Sequence, residues 1–465
     1  MELTEGRKAL PSHCVYQIKH DGAGNVQRFE DRLVCRGNHQ IEGIDYQATY
    51  GPTARLGHVR LALAIAAKYD LEIHQIDVCT AFLGVDLEEE IYMHPPQGYS
   101  RLLQTGRLTH MSRKMVLRWR KCLDGLKQSS HVLYGTSKDF MMSIGFVASR
   151  VNGGLFALHD KDQGIVIATV SLYVHDLLII ANEGLIGQMK DHMERRNLMH
   201  DLGSVSFYLG MNIERNREHH MIDIHQRSYI RNILPKFRMD ESRPVATPMA
   251  MKLHRRKPEE ESCNPTIYQS MIGSLMYAMT ATWPDSAYAI TVLSRYNHDP
   301  RNEHMVALLP MFRYLNGIKA WRLCFRGALG GALGESTPRG ERDGALTCYV
   351  DSDYAGCPDD YKLTSGLVIT IGGAVDWRSR KQKSTAQSTT LAEYYAFGVG
   401  CMRLTQISHL LNELGIPTIP HVSSDSQSLI VSIKNRIYRV TAVAHNATKY
   451  YLAADMARDR EIELS

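Results

Sequence analysis

The sequence lacks any stretch that is long and apolar enough to span a membrane or to act as a secretion signal. Its first 25 residues contain no apolar core of the signal-peptide kind. The longest apolar run, residues 165–180, is interrupted by Ser171, His175 and Asp176, which favours a buried hairpin over a membrane span. We therefore predict an intracellular protein, cytoplasmic or nuclear, that is neither secreted nor bound to a membrane.

The chain also lacks paired metal-binding cysteines and any strong imbalance of charge. None of its nine cysteines lies in a C-x-x-C pair. A disulfide scaffold and a structural zinc site are therefore both unexpected, and we predict reduced thiols. The 54 Lys and Arg residues against 49 Asp and Glu residues leave a formal charge of +5, which permits a nucleic-acid partner without requiring one.

What the chain does have is the length and composition of a globular protein with several domains. A chain of 465 residues suggests roughly two to four domains. Its 44% hydrophobic and 22% charged residues are typical of folded domains. The composition changes at residues 241–266, which are rich in proline and charge, and again in the glycine-rich residues 326–344. These two segments are the predicted domain boundaries.

Helical and strand patterns follow one another without the regular rhythm of βαβ units. Residues 12–36 alternate around a Gly-Asn turn and predict a hairpin. Residues 54–70 have apolar positions at helical spacing and lead into a predicted strand that ends near Asp77, and residues 184–200 predict a helix with a polar face. This succession favours an α+β fold.

Residues 169–181, "TVSLYVHDLLIIA", predict a second hairpin. Two runs rich in valine, isoleucine and leucine flank the polar pair His175 and Asp176. A polar pair between such runs is typical of the turn that joins two strands. We therefore expect both ionisable side chains at the tip of this hairpin.

Acidic residues at predicted strand ends form two groups. Asp77 closes the strand "HQIDV" and Asp176 lies on the hairpin tip; Asp351 lies in "CYVDSD", Glu393 lies on a long helix, and Asp425 ends "HVSSD". Strand-end carboxylates that meet in a cleft are a common way to hold two magnesium ions for phosphoryl transfer. Taken singly, most such residues are turn formers or helix caps, and the residues alone leave that interpretation open.

Several longer motifs occur in order along the chain: "DRLVCRGNHQIEGIDYQATYGPTARL", "LEIHQIDVCTAFLGVDLEEEIYMHPPQGY", "CLDGLKQSS", "LYVHDLLII", "SFYLGMNIERN", "PVATPM", "YQSMIGSLMYAMTATWPDSAYAITVLSRYNHDP" and "YVDSDYAGCPDDYKLTSGLVITIGGAVDWRSRKQKSTAQSTTLAEYYAF". The first six resemble the reverse transcriptase of copia-type long-terminal-repeat retrotransposons. The seventh resembles the connecting segment of that family, and the last resembles the ribonuclease H that follows it. The match covers almost the whole chain, so the chain is identified as a member of this family.

The resemblance implies a right-hand polymerase with fingers, palm and thumb, followed by a ribonuclease H-like α/β domain. The reverse transcriptase would occupy residues 1–240, a linker and helical connection residues 241–344, and the ribonuclease H-like domain residues 345–465. The family implies an RNA template, a DNA primer, an RNA–DNA hybrid and deoxynucleoside triphosphates as partners. It implies magnesium at two-metal sites as the cofactor, and the oligomeric state stays open.

Four polymerase residues take their expected roles from the resemblance. Asp77 and Asp176 match carboxylates of the palm that hold metal ions. Phe82 matches the aromatic residue beneath the incoming sugar, although from the residues alone we would predict a core aromatic. Gln128, in "GLKQ", matches a residue that helps to line the nucleotide pocket.

The polymerase motifs depart from the family pattern at functional positions. The hairpin tip of the family reads Tyr-Val-Asp-Asp, whereas this chain has His175 in place of the first Asp. A neutral imidazole suits zinc, copper or nickel better than magnesium, and we expect a loss of activity of at least ~10²-fold. Glu30 stands where a lysine is common, and its charge would repel a triphosphate.

The ribonuclease H motifs are altered at one carboxylate. Asp351, Glu393 and Asp425 match three of the four metal-site carboxylates, whereas the fourth position falls on Asn446 or Ala447. We expect weakened metal binding and slow cleavage there. The substitutions indicate a degenerate copy of a retrotransposon, carrying a fragment of its Pol polyprotein. Three interpretations stay open: an impaired polymerase with ribonuclease H, a catalytically inactive nucleic-acid-binding remnant or pseudogene product, and ribonuclease H alone.

Overall fold

A computed structural model describes residues 1–20, 26–78, 81–96, 99, 115–160, 166–194, 199–249, 253, 261–327, 345–353, 356–383, 388–435, 455–457 and 462–465. The chain divides into two compact units. The first contains residues 1–54 and 72–204, and the second contains residues 55–71 and 205–465. This division into compact units does not test the predicted domain boundaries at residues 240 and 344, which remain a proposal.

The helices and strands of the described residues are numbered in chain order. The helices are α1 (Leu56–Tyr69), α2 (Ser129–Ser143), α3 (Glu183–Glu194), α4 (Arg227–Lys236), α5 (Pro265–Ala281), α6 (Ala287–Ser294), α7 (Asn302–Ile318), α8 (Thr389–Glu413) and α9 (Gln427–Lys434). The strands are β1 (Ala9–Leu10), β2 (Ser12–His20), β3 (Val26–Cys35), β4 (Glu72–Val78), β5 (Asp86–Met93), β6 (Leu117–Lys121), β7 (Val147–Ala148), β8 (Leu155–His159), β9 (Val166–Tyr173), β10 (Asp176–Ala181), β11 (Met199–Ser204), β12 (Phe207–Tyr208), β13 (Met211–Asn216), β14 (Met221–His225), β15 (Leu323–Arg326), β16 (Thr347–Asp353), β17 (Thr364–Thr370), β18 (Ala374–Lys381), β19 (His421–Ser423) and β20 (Glu463–Leu464). This mixture of separate helices and sheets confirms the predicted α+β class.

The first unit is built around a six-stranded antiparallel sheet in the order β11-β4-β10-β9-β8-β7. Residues 177–181 of β10 are all buried, because this strand lies between two neighbours and carries apolar side chains toward both faces. One apolar cluster joins the sheet to helices α2 and α3 through buried residues such as Phe140, Phe156 and Ile186. Burial of each such side chain stabilises the fold by about 1.5–3 kcal/mol.

The hairpin predicted at residues 169–181 is confirmed, but its turn lies one residue earlier than expected. Tyr173 pairs with Asp176, so the two residues of the turn are Val174 and His175. Asp176 is the first residue of β10 and also pairs with Asp77 of β4. The expectation that both ionisable residues lie in the turn is therefore wrong, because the pairing with two neighbouring strands extends β10 to Asp176.

The first unit also contains a three-stranded sheet, β1-β5-β6, and the two-stranded hairpin β2-β3. The hairpin confirms the strand prediction for residues 12–36. Two of its aromatic side chains stand in the open, since Tyr16 is 77% and Phe29 is 76% exposed.

The helix predicted over residues 184–200 is wrong at its C-terminal end. Helix α3 ends at Glu194, and residues 199–204 form strand β11. Strand β11 pairs antiparallel with β4, with His200 opposite Asp77. The polar spacing that suggested a longer helix is overridden here by hydrogen bonding to the edge of β4.

The second unit contains a four-stranded sheet and a group of helices. The sheet has the order β12-β13-β14-β15. Helices α4, α5, α6 and α7 share one apolar core, in which Tyr268, Leu275 and Phe312 are fully buried. Helix α1 confirms the prediction for residues 54–70 and packs against β14, β15 and β18 within this unit.

A five-stranded mixed sheet, β18-β17-β16-β19-β20, forms the other sheet of the second unit. Strand β16 is antiparallel to β17 and parallel to β19. Helix α8 packs on β16 at Gly400, where a Cβ atom would lie 2.4 Å from Val350 Cγ1. Ser388 begins the helix by accepting a hydrogen bond from the Leu391 amide at 3.2 Å, and Gly415 follows its end with φ +69°.

Two features of the described residues bear on the predicted class of protein. No helix among them combines the length and the apolar composition that crossing a membrane requires. The described cysteines are all free thiols, namely Cys14, Cys35, Cys122, Cys263, Cys324, Cys348, Cys357 and Cys401.

Candidate active sites

One group of metal-ligating side chains lies where β4, β10 and the hairpin turn meet. Asp77 near the end of β4, His175 in the turn and Asp176 at the start of β10 each bring one ligand atom to within 4.8 Å of the others. We call these three residues the hairpin cluster. The pairing of Asp77 with Asp176 aligns the two carboxylates, and the Val78 amide donates to the His175 carbonyl at 3.0 Å, which ties the turn to β4.

The carboxylates of the hairpin cluster differ in their surroundings. Asp77 Oδ1 is buried and accepts no hydrogen bond from the described residues. Asp176 Oδ1 accepts one from Gln75 Nε2 at 3.3 Å. A buried carboxylate oxygen without a donor is costly, so a cation beside Asp77 would remove an existing penalty. His200, opposite Asp77 in β11, places a second histidine next to the cluster, and no local sequence pattern indicated this pairing.

The turn of the hairpin holds an unfavourable backbone conformation. Val174 has φ +58°, in the left-handed region that costs a β-branched residue about 1–3 kcal/mol. Its side chain packs, together with those of Val78 and Phe82, against a second apolar cluster, which is different from the one that joins the central sheet to α2 and α3. This packing holds the strained residue, and with it the neighbouring His175, in one position.

The structure places the two predicted nucleotide-binding residues in different environments. Phe82 is half-buried and lies with Val174 against the same apolar cluster. Gln128 is only 1% exposed. Its Nε2 donates to the Asp45 carbonyl at 2.9 Å, and its Oε1 accepts from Gln40 Nε2 at 3.0 Å. The Gln128 amide thus holds the segment around residues 40–45, and its role in nucleotide binding stays a prediction.

An ion pair on β3 lies close to the hairpin cluster. Arg32 donates to Glu30 Oε1 from Nε at 3.0 Å and from a terminal nitrogen at 2.8 Å. This hydrogen bonding raises the pKa of Arg32, and the charges of Asp124 and Asp77 add to the increase. Residues two apart on a strand share one face, so the spacing of Glu30 and Arg32 in the sequence could have indicated this pair.

A second group of metal-ligating side chains lies in the second unit. Asp351 on β16, Glu393 on α8 and Asp425 just after β19 each bring a carboxylate oxygen to within 4.8 Å of the others. We call these residues the helix cluster. Ser352 donates to Glu393 Oε1 from its backbone amide at 3.1 Å and from its hydroxyl at 2.8 Å.

Glu393 is the buried member of the helix cluster. Burial raises the pKa of its carboxyl, and the charges of Asp351 and Asp425 add to the increase, whereas the hydrogen bonds from Ser352 oppose it. Its other oxygen, Oε2, is buried and receives no hydrogen bond from the described residues. A divalent cation in the cluster would satisfy this oxygen and separate the three negative charges.

A cavity of about 550 Å³ lies beside Asp351. One wall carries Tyr288 of α6, and the facing sheet contributes Tyr349, Gly366 and Val368. The Tyr288 hydroxyl donates to Asp353 Oδ2 at 2.9 Å, and burial together with this bond raises the pKa of Tyr288 to about 12. No sequence signal marked Tyr288, because its partner is 65 residues away along the chain.

The structure therefore brings the predicted carboxylates together in two groups. Asp77 and Asp176 lie together with His175. Among the described residues, the second group consists of the carboxylates of Asp351, Glu393 and Asp425 alone. The predicted fourth carboxylate position, Asn446 or Ala447, lies outside the described residues.

Comparison with known families identifies the first half of the chain. Residues 1–251 match the family described as reverse transcriptase (RNA-dependent DNA polymerase). The Retrovirus-related Pol polyprotein from transposon TNT 1-94 of Nicotiana tabacum is 34% identical over 100% of this chain and 34% of its own length. That from transposon RE1 of Arabidopsis thaliana is 32% identical over 87% of this chain and 26% of its own length. The chain thus spans about a third or less of these relatives.

Among solved structures, the chain is similar to a foamy viral protease-reverse transcriptase in complex with double-stranded DNA. The alignment has a TM-score of 0.46 and 12% sequence identity, and it covers 100% of this chain and 66% of the viral chain.

Proposed function

The chain belongs to the reverse transcriptase (RNA-dependent DNA polymerase) family, and from this premise we propose that it carries the polymerase and ribonuclease H of a copia-type retrotransposon Pol polyprotein. One observation carries the proposal: each compact unit holds one group of three metal-ligating side chains whose ligand atoms lie within 4.8 Å of one another. The partners would be an RNA template, a DNA primer, deoxynucleoside triphosphates and an RNA–DNA hybrid.

The helix cluster has the donors that magnesium prefers. All three ligands are carboxylate oxygens, and Glu393 Oε2 is a buried acceptor without a donor among the described residues. Asp351, Glu393 and Asp425 would hold the ion, which would supply positive charge to the phosphate that is cleaved. Ser352 orients Glu393 through two hydrogen bonds to Oε1, and Oε2 is left without a donor among the described residues.

The hairpin cluster does not fit the two magnesium ions that the family implies. It offers two carboxylates and one imidazole, and a ring nitrogen is a poor ligand for magnesium. We infer that polymerase activity with magnesium is impaired. The ion pair between Arg32 and Glu30 adds to the impairment. Glu30 neutralises the positive charge of Arg32, which would otherwise attract a triphosphate.

Primer extension on an RNA template with magnesium tests the polymerase. We expect His175→Asp to extend a primer at least ~10²-fold faster than the unaltered chain, because a full carboxylate returns to the cluster. His192→Asp makes the same change at an exposed position of α3 and serves as the control. Equal extension by the unaltered chain and His175→Asp contradicts the impairment. No extension by either contradicts the polymerase itself.

A second candidate, ribonuclease H alone, is favoured by the contrast between the two clusters. The helix cluster keeps three carboxylates, whereas the hairpin cluster has lost one to His175. Hybrid cleavage without primer extension, abolished by Glu393→Gln and retained by Glu413→Gln on the same helix, would support it. The absence of cleavage, together with salt-dependent binding of a primer–template duplex, would instead support an inactive nucleic-acid-binding remnant.

A further inference from the structure

We propose that the hairpin cluster is a site for one divalent transition-metal ion of the zinc or cobalt kind. The proposal rests on the proposed function only for the location of the site. It concerns which ion binds, and it is tested by metal binding without any catalytic assay.

The donor set is the first argument. Asp77 and Asp176 supply oxygen, His175 supplies a ring nitrogen, and one ligand atom from each lies within 4.8 Å of the others. Three protein ligands of mixed nitrogen and oxygen with remaining open positions are typical of zinc and of other first-row transition metals. Magnesium instead selects oxygen ligands and retains its water.

The second argument is the buried oxygen of Asp77. Asp77 Oδ1 is buried and has no hydrogen-bond donor among the described residues. A lone carboxylate oxygen in such a position is unfavourable unless a cation compensates its charge. Across the sheet the residue that pairs with Asp77 is another acid, Asp176, and the nearby Arg32 is already paired with Glu30.

The hairpin backbone and the Asp176 side chain are held in place before any ion binds. The His175 carbonyl accepts from the Val78 amide at 3.0 Å, and Gln75 Nε2 donates to Asp176 Oδ1 at 3.3 Å. Val174 keeps its left-handed conformation at φ +58° through packing against the apolar cluster beside it. Ligands carried by a backbone that is already fixed lose less conformational entropy when the metal binds.

A second histidine near the cluster strengthens the preference for a transition metal over magnesium. His200 pairs with Asp77 on the side of β4 opposite to Asp176, so two histidines flank the same carboxylate residue. The His200 ring lies outside the 4.8 Å group, and we assign it to the surroundings of the site. The helix cluster provides a contrast within the same chain, because its three ligands are all carboxylates.

The test is a titration of the metal-free full chain with Zn²⁺ and with Co²⁺ while Mg²⁺ is in large excess. The excess Mg²⁺ occupies the all-carboxylate cluster. We expect one remaining Zn²⁺ site by calorimetry, and a Co²⁺ absorption spectrum with nitrogen ligation. His175→Asp should weaken Zn²⁺ binding by roughly tenfold or more and remove the nitrogen contribution from the Co²⁺ spectrum.

Three variants make the result decisive. His175→Gln removes the ring nitrogen without adding charge and should weaken Zn²⁺ binding in the same direction, provided circular dichroism shows the native fold. His192→Asp controls for the general effect of an added carboxylate. Glu393→Gln alters the other cluster and should leave Zn²⁺ binding in excess Mg²⁺ unchanged.

The opposite results would overturn the proposal. If Zn²⁺ binding and the Co²⁺ spectrum are unchanged in His175→Asp and His175→Gln, the ion binds elsewhere. Absence of Zn²⁺ binding by the unaltered chain in excess Mg²⁺ also rejects the site. These outcomes are independent of primer extension, so a failed polymerase assay with intact metal binding contradicts only the proposed function.

Discussion

At the scale of single residues, the chemistry of this protein depends on a few charged side chains whose neighbours change their behaviour. Glu393 keeps its proton more readily than an ordinary glutamate because it is buried near two other carboxylates. Glu30 and Arg32 neutralise each other near the hairpin cluster. Each of these effects leads to a measurable difference between variants.

The raised pKa of Glu393 predicts a pH-dependent change in stability when no metal is present. The folded state binds a proton more tightly than the unfolded state, so stability is highest below the unfolded pKa and falls as pH rises through the folded pKa. In EDTA, Glu393→Gln should therefore be more stable than the unaltered chain at pH 7 and not at pH 4. Each unit of pKa difference corresponds to about 1.4 kcal/mol. Urea unfolding at the two pH values measures this, and an equal difference at both would contradict it.

Releasing Arg32 from Glu30 should improve the binding of a triphosphate. In the His175→Asp background, we expect Glu30→Gln to lower the KM for deoxynucleoside triphosphates by roughly two- to fivefold at low salt, with little change in kcat, because a partly exposed ion pair is worth about 0.2–1 kcal/mol. Asp31→Asn, on the next residue of β3, removes the same charge from the other face of the strand. A similar decrease in KM for both variants would contradict a specific role for the pair.

At the scale of elements, the second unit is held together by contacts between pieces of the chain that are far apart in sequence. Arg60 of α1 is buried and donates to the carbonyls of Thr280 and Ala281, the last residues of α5, at 2.8 and 2.9 Å. It also donates to the Val375 carbonyl on β18 at 2.8 Å, and its guanidinium lies 3.8 Å from the centre of the Trp377 ring. One side chain thus joins α1, the negative end of α5 and the five-stranded sheet that contains β18.

Loss of this guanidinium should destabilise the fold. We expect Arg60→Met to lower the free energy of unfolding by about 2–4 kcal/mol, because it leaves three carbonyl groups without this donor, two of them on the buried residues Ala281 and Val375. Arg231→Met on the exposed face of α4 makes the same change and should cost less than about 0.5 kcal/mol. Thermal unfolding measures both, and equal losses would contradict the role of Arg60.

The close approach of α8 to β16 depends on a glycine. We expect Gly400→Ala to destabilise the fold by about 1–3 kcal/mol, because the added Cβ would lie 2.4 Å from Val350 Cγ1. Gly187→Ala on α3 provides the matched control, since nothing lies within 4 Å of its added Cβ. That control should stabilise the protein by about 0.5–1 kcal/mol. Urea unfolding distinguishes the two, and stabilisation by both would show that the helix can shift without cost.

At the scale of the whole molecule, the two clusters belong to different compact units and have different ligands. We expect their activities to change independently. His175→Asp should change hybrid cleavage by less than about twofold, and Glu393→Gln should change primer extension by the same small amount, since neither variant alters the ligands of the other cluster. Both assays on each purified variant measure this, and a large loss of both activities from one substitution would contradict it.

Much of the fold followed from local patterns. The hairpin at residues 12–36, helix α1 and the long helix α8 were all predicted, because the spacing of apolar residues and the turn residues act within a short stretch of chain. The end of α3 was wrong, because residues 199–204 hydrogen-bond to β4, more than 100 residues earlier in the chain. The turn of the central hairpin was misplaced for a similar reason, since β4 and β9 both pair with Asp176.

The sequence by itself determined which ligand types this protein possesses: carboxylates at Asp77, Asp176, Asp351, Glu393 and Asp425, and an imidazole at His175. Residue identity decides whether a ligand atom is a hard oxygen or a softer ring nitrogen. The poor match between His175 and magnesium was therefore evident before any fold was known. Only the tertiary structure decided that Asp77 Oδ1 is buried without a donor, that Arg32 is paired with Glu30, and that Tyr288 reaches Asp353. Burial and pairing arise from contacts between distant segments, and local sequence patterns do not specify these contacts.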